Sequence, residues 1–118
     1  MAVNKVRAGE SPLRDFASDK EHLFLNVQKK KVKLLFSEIL YIESQREYVR
    51  IVTTKNEYLS RISTHEIESR LPADQFQRIH RSFIVALNKI ESYTADEVDV
   101  HGVAIPVGRD HRHVLERL

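Results

Sequence analysis

Phe76-Gln77-Arg78-Ile79-His80-Arg81-Ser82-Phe83-Ile84-Val85-Ala86-Leu87-Asn88-Lys89-Ile90 is the stretch whose reading decides the fold. Within it, residues 83–87 are wholly apolar, with Phe, Ile and Val prominent, the pattern of a short buried strand. Arg78, His80, Arg81 and Ser82 stand directly before that run, a basic and hydrogen-bonding group at the mouth of the strand. A buried strand anchors the backbone, so the residues at its start present guanidinium and hydroxyl groups from fixed positions, as a phosphate or a base edge requires. Taken alone, the same residues read equally well as solvated charges flanking a core strand.

Working outward toward the N-terminus, the next feature is a short helix. Ser63 followed by Glu66 is a capping box, Ile62 can staple onto Ile67, and Ile67 and Leu71 share one face before Pro72 ends the helix. Two turns are too few to be stable alone, so this helix must dock on a sheet. Upstream, residues 57–62, 48–53 and 40–42 read as strands, with a polar loop at 43–47. Val49 and Ile51 fall on one side of the second of these, Tyr48 and Arg50 on the other. Further out, Leu23, Leu25 and Val27, then Val32, Leu34 and Phe36, recur with period two around Lys29-Lys30, predicting an antiparallel hairpin with one wet face. The lysines from 29 to 33 read as a solvated turn and outer face. Residues 1–20 lack a sustained apolar period and read as a linker or tail, with a short turn of helix at 13–17.

Toward the C-terminus, residues 91–93, 97–100 and 103–107 predict three more short strands, the last two joined around His101-Gly102. Glu91, Asp96, Glu97 and Asp99 make this region acidic, so it is expected to face away from any polyanion. Val114, Leu115 and Leu118 form the apolar stripe of a short terminal helix. The expected fold is mostly β, with several small antiparallel sheets, one short capped helix and a short C-terminal helix.

A chain of 118 residues fits one domain. It has no cysteine, which excludes disulfides and thiolate metal sites and is compatible with a reducing compartment. No apolar run reaches the roughly 20 residues of a membrane helix. With 19 basic against 17 acidic residues the net charge is only +2, so the distribution of charge matters more than its sum. Arg46, Arg50, Arg78, Arg81, Lys89 and Arg109 lie in or beside loops and strand ends, and a nearly neutral domain can still carry a basic face. Enzyme chemistry finds little support. His111 and His113 would not share a helical face, His80 near Ser82 lacks an evident orienting acid, and only 3 glycines leave no phosphate-binding glycine loop. No cofactor is expected.

Tyr41-Ile42-Glu43-Ser44, the helix ending in Leu71-Pro72, Phe76 to Val85 and Ile105-Pro106-Val107-Gly108-Arg109 together resemble the LytTR DNA-binding domain. The resemblance runs from about His22 to Leu118 in matching order and spacing, giving a tail over 1–20 and a domain over 21–118. It implies a β fold that inserts loops, rather than a helix, into successive major grooves of double-stranded DNA at paired direct repeats. It also implies a cytoplasmic bacterial transcription regulator, often the output domain of a response regulator behind a receiver domain and its sensor histidine kinase, with a homodimer forming on the DNA. By the resemblance, the DNA-facing residues are Gln45, Arg46, Glu47 and Tyr48 with Arg50 beyond them after the first motif, His80, Arg81 and Ser82 in the second, and Arg109 in the third; Lys89, beyond the second motif, is read from its own chemistry as a phosphate contact. Two positions depart from the family pattern. Ala86 stands where many members have Asn, a role open to Asn88, and Gly108 where many have Ser, leaving a backbone N–H in place of the hydroxyl.

The chemistry agrees with these roles. Arginine pairs with both major-groove acceptors of guanine, while serine, lysine and backbone N–H groups suit phosphates. Other readings stay open at this point: His80 as a histidine bonding backbone beside the strand, Tyr48 as a cross-strand packing residue, and the whole domain as a protein-protein interaction or dimerisation module. RNA binding is disfavoured because no pair of exposed strand aromatics forms a stacking platform.

Overall fold

The alternation of Leu23 and Leu25 (buried) with Phe24 and Asn26 (exposed) makes β1 (His22–Val27) a half-wet strand. It pairs antiparallel with β2 (Lys30–Leu35), from His22 opposite Leu35 to Val27 opposite Lys30, so Gln28 and Lys29 alone form the turn. The computed structural model describes residues 21–118; the expected tail over 1–20 and its turn of helix lie outside the described residues. Phe36, read in the sequence as the end of the second strand, instead begins a 3-10 turn over Phe36–Glu38. That turn delivers the chain to the middle sheet.

The middle sheet holds β3 (Ile39–Ser44), β4 (Val49–Thr53), β5 (Glu57–Ser60), β6 (Phe76–His80) and β7 (Phe83–Ala86), in the order β5-β4-β3-β7-β6 and antiparallel throughout. Between β5 and β6 comes helix α1 (Thr64–Arg70). Its Ser63 cap accepts from the Glu66 N–H at 3.0 Å, and Leu71 closes it before Pro72, as the capping motif predicts. The third sheet is β8 (Ile90–Tyr93), β9 (Glu97–Val100) and β10 (Val103–Pro106), with β9 central.

Both faces of the middle sheet are buried. Ile42, Ile51 and Ile84 face a core shared with Leu23, Leu25 and Leu34 of the hairpin and with Ile67 and Leu71. Their chain neighbours Tyr41, Val52 and Val85 face a second core, shared with Val98, Val100, Ile105 and Val114. A strand covered on both sides has no wet face to alternate with, which is why its sequence is a continuous apolar run. The domain is therefore layered: hairpin and α1, middle sheet, then third sheet and terminal element.

Three sequence expectations need correction. Arg78 and His80 are not loop residues at a strand mouth, because β6 carries them; the mouth is the two-residue turn Arg81-Ser82. Arg78 pairs with Ile84 and His80 with Phe83, so Ile79 is an extra, bulged residue. The bulge buries Phe76 and Ile79 three positions apart and hides the period of two. The apolar run ends as strand at Ala86, and Leu87–Lys89 is a 3-10 turn. The terminal element is 3-10 over Arg109–Arg117: Val114 is buried and Leu115 half-buried, but Leu118 is exposed and outside the stripe.

Candidate nucleic-acid interface

Strand β3 pairs with β4 on one side and β7 on the other, so whatever leaves its C-terminal end emerges beside the start of β7. The Ser44 N–H donates to the Ser82 carbonyl at 2.7 Å, fastening the loop after β3 to the β6–β7 turn. That loop, residues 45–48, is closed by the Gln45 N–H on the Tyr48 carbonyl at 2.8 Å. From the other side, the Gly108 N–H donates to the Ile79 carbonyl at 2.7 Å, which sets Arg109 next to His80. Three segments far apart in sequence thus come out at one end of the middle sheet. Arg46, Arg81 and Arg109 are exposed there, and no carboxylate among the described residues pairs with them.

The turn between β6 and β7 is held from within. The His80 Nδ1 accepts the Ser82 N–H at 3.1 Å, and its ring meets Phe83 edge-on at 5.7 Å. Arg78, left out of the expected DNA-facing set, is the second brace: its guanidinium donates to the Arg81 carbonyl and lies 3.4 Å from the Glu68 carboxylate on α1. Its Nε is buried without a hydrogen-bond partner. Arg78 positions the turn that displays Arg81.

The remaining expected residues are distributed differently. Arg50 is clamped between Glu43 at 2.7 Å and Glu57 at 2.9 Å, and its guanidinium sits 6.0 Å from the Tyr41 ring centre. The hydrogen bond to Glu57 holds the guanidinium above its ordinary value against the opposing effect of burial, with Glu43 adding to it. The same hydrogen bond holds the Glu57 carboxyl below the usual glutamate range. Tyr48 accepts from Arg61 at 3.1 Å through its hydroxyl, and the Arg61 guanidinium lies 5.2 Å from the ring centre; Arg61 was not anticipated. Lys89 follows the far end of β7 and is separated from the Arg81-Ser82 turn by the length of that strand.

Two further expectations change. The Gly108 N–H, which the sequence left as a substitute for a serine hydroxyl, is already used by Ile79. A Cβ at Gly108 would come within 3.2 Å of the His111 Nδ1, so a side chain there requires His111 to yield. Ala86 is buried in the hairpin-side core rather than at the arginine end. The acidic stretch also does not lie wholly apart, since the Asp96 carbonyl accepts the Val107 N–H at 2.8 Å, two residues from Arg109. Arg112 takes the Asp96 carboxylate at 2.8 Å and offsets it locally. Among the described residues, no group of three or more His, Cys, Asp or Glu side chains is placed to hold a metal ion.

The three joined loops thus gather arginines that are unpaired among the described residues at one end of a β domain. Residues 29–118 match the profile of the LytTr DNA-binding domain, and the chain belongs to that family of DNA-binding domains. It is 32% identical over 89 residues to an uncharacterized response regulatory protein of Vibrio cholerae, covering 68% of this chain and 34% of the relative. It is 33% identical over 78 residues to the CO-responsive transcriptional regulator RcoM of Rhodospirillum rubrum, covering 60% of this chain and 33% of that one. To the sensory transduction protein LytT of Bacillus anthracis it is 26% identical over 110 residues, covering 88% and 45%. The chain thus spans between a third and a half of the length of these relatives. In fold it is similar to the solved LytTr DNA-binding domain of a Bacillus cereus response regulator, with a TM-score of 0.70 and 24% identity over 82% of this chain and 94% of that one.

Proposed function

We propose that the arginine end of the middle sheet reads double-stranded DNA in a sequence-specific way, as the output domain of a bacterial transcription regulator. The observation that carries this reading is the fastening of loop 45–48, the Arg81-Ser82 turn and Arg109 to one another by the Ser44–Ser82 and Gly108–Ile79 hydrogen bonds. Arginines on joined loops approach a groove with little ordering left to do, which favours directional contacts over diffuse attraction.

In this reading Arg81 and Arg109 contact base edges, each able to span the two guanine acceptors of the major groove. Arg46 and Gln45 take the neighbouring positions, and Ser82 and Tyr48 meet phosphate oxygens. His80, with Nδ1 committed to the turn, acts by positioning. Arg50 acts likewise, because a guanidinium held by two carboxylates gives up both to reach DNA. Lys89, at the opposite end, contributes only to the long-range field. One copy presents one set of joined loops, so paired direct repeats call for two copies side by side, a homodimer assembled on the duplex. The response-regulator relatives favour a receiver domain joined to this one and a sensor kinase upstream, acting in the cytoplasm.

The test is selection from a duplex pool with randomised direct repeats, followed by fluorescence anisotropy on the recovered sequence. The reading expects enrichment of one repeated motif and affinity that falls steeply with salt. Binding that is blind to sequence would refute it.

A further inference from the structure

The hairpin β1–β2 runs from the far end of the middle sheet, where the Phe36 N–H donates to the Glu21 carbonyl at 2.8 Å, toward the arginine end. There the Ser60 hydroxyl, at the close of β5, donates to the Asn26 carbonyl at 2.8 Å. The hairpin tip projects beyond this bond. Between the tip, β5 and α1 lies an open groove lined by Lys29, Lys31, Tyr48, Arg61 and Arg70. Arg70 is partly used, donating to the Phe24 carbonyl at 3.3 Å. Lys29, Lys31 and Arg61 are exposed, and among the described residues no carboxylate pairs with them. Among the described residues, Glu66 is the one carboxylate on the groove wall.

Two observations separate this groove from an ordinary solvated surface. The turn residues Gln28 and Lys29 have φ of 51° and 69°, the left-handed conformation a two-residue hairpin turn demands and glycine or asparagine adopts with least strain. The chain keeps a lysine in this conformation at the outermost point of the hairpin. The groove is also continuous with the candidate interface, since Tyr48 closes loop 45–48 on one side and supports Arg61 on the other.

We infer that Lys29, Lys31 and Arg61 form a phosphate-binding flank that carries the DNA contact past the base-reading loops onto the adjoining sugar-phosphate backbone. The inference rests on the DNA-reading function proposed above and extends its footprint across the hairpin. Cations brought together from two elements, facing a single carboxylate among the described residues, match a run of phosphates. They carry no base-edge geometry, so the flank adds affinity and register without adding sequence preference.

The experiment measures anisotropy of the selected duplex with the parent domain, with Lys29→Ala/Lys31→Ala/Arg61→Ala and with Lys29→Gly, across salt concentration. The triple variant is expected to bind at least about tenfold more weakly, keep the same ranking of sequences, and lose two to three units of the salt slope, about one per contact. Lys29→Gly relieves the left-handed strain, so it is expected to melt at a higher temperature while binding DNA more weakly. A merely structural lysine would move neither in this opposed way. A parent that binds with a slope unchanged in the triple variant overturns the flank and leaves the base-reading loops intact, as does a Lys29→Gly variant that binds as tightly as the parent. A parent that binds no duplex overturns the flank and the function beneath it together.

Discussion

The amide of Ser44 donates to the carbonyl of Ser82 at 2.7 Å, so the loop after β3 and the turn before β7 leave the sheet as one unit. Arg46 and Arg81 ride on that unit, and Arg109 joins it through the Gly108–Ile79 bond. On this geometry, Arg81→Ala and Arg109→Ala should each weaken binding to the selected duplex by about 1–3 kcal/mol and relax preference at one base position. Both side chains are exposed, so their melting temperatures should match the parent's. Competition anisotropy against single-base variants of the duplex measures both effects.

Arg78 braces the turn from below through the Arg81 carbonyl and Glu68. Arg78→Met keeps the stem and removes the donors, and water can replace them at the exposed Arg81 carbonyl. Global stability should fall by only about 1 kcal/mol, while the turn loosens. Amide hydrogen exchange at Arg81 and Ser82 should quicken more than exchange in β3. Equal protection of Arg81 and Ser82 in the parent and in Arg78→Met would leave Arg78 without this role.

The Ser63 hydroxyl caps α1 by accepting the Glu66 N–H. Ser63→Ala should cost about 1 kcal/mol of stability, read as a lower urea midpoint with an unchanged slope. Because α1 packs Ile67 and Leu71 on the hairpin-side core, loss of the cap should also quicken exchange in β1.

Acid should uncouple the Arg50 clamp. Arg50 holds the Glu57 carboxyl below its ordinary range, first by hydrogen bonding and then by charge. A carboxyl lowered in the folded state stabilises the fold above its unfolded value of about 4.3, and that contribution is lost as pH falls through the folded value. The gap in denaturation midpoint between the parent and Glu57→Gln should therefore hold steady near neutrality and close as pH drops below about 4.3. A gap that stays constant into acid would contradict the clamp.

The sequence made some of this legible and hid the rest for identifiable reasons. The first hairpin and α1 were readable because each has a regular period and, for α1, a capping motif at its start. β6 was not, because the bulge at Ile79 breaks the alternation that marks a strand. The terminal element was misread in its last residue because the 3-10 turns end at Arg117, and Leu118, one position beyond them, is exposed. Among the candidate residues, the three segments were visible through their motifs, but their meeting depends on β3 pairing with both β4 and β7. The clamp on Arg50 was hidden for the same reason: Glu43 and Glu57 each lie seven residues away and reach it only through strand register.

The most direct measurement is an amide NMR titration of the isotopically labelled domain with the selected duplex and with a scrambled duplex of equal length. The selected duplex should shift residues 45–48, 80–82 and 108–110 far more than the scrambled one does, while Asn88, Lys89, His101 and Gly102 at the opposite end stay still. Identical shifts from both duplexes, or shifts gathered at that opposite end, would contradict it.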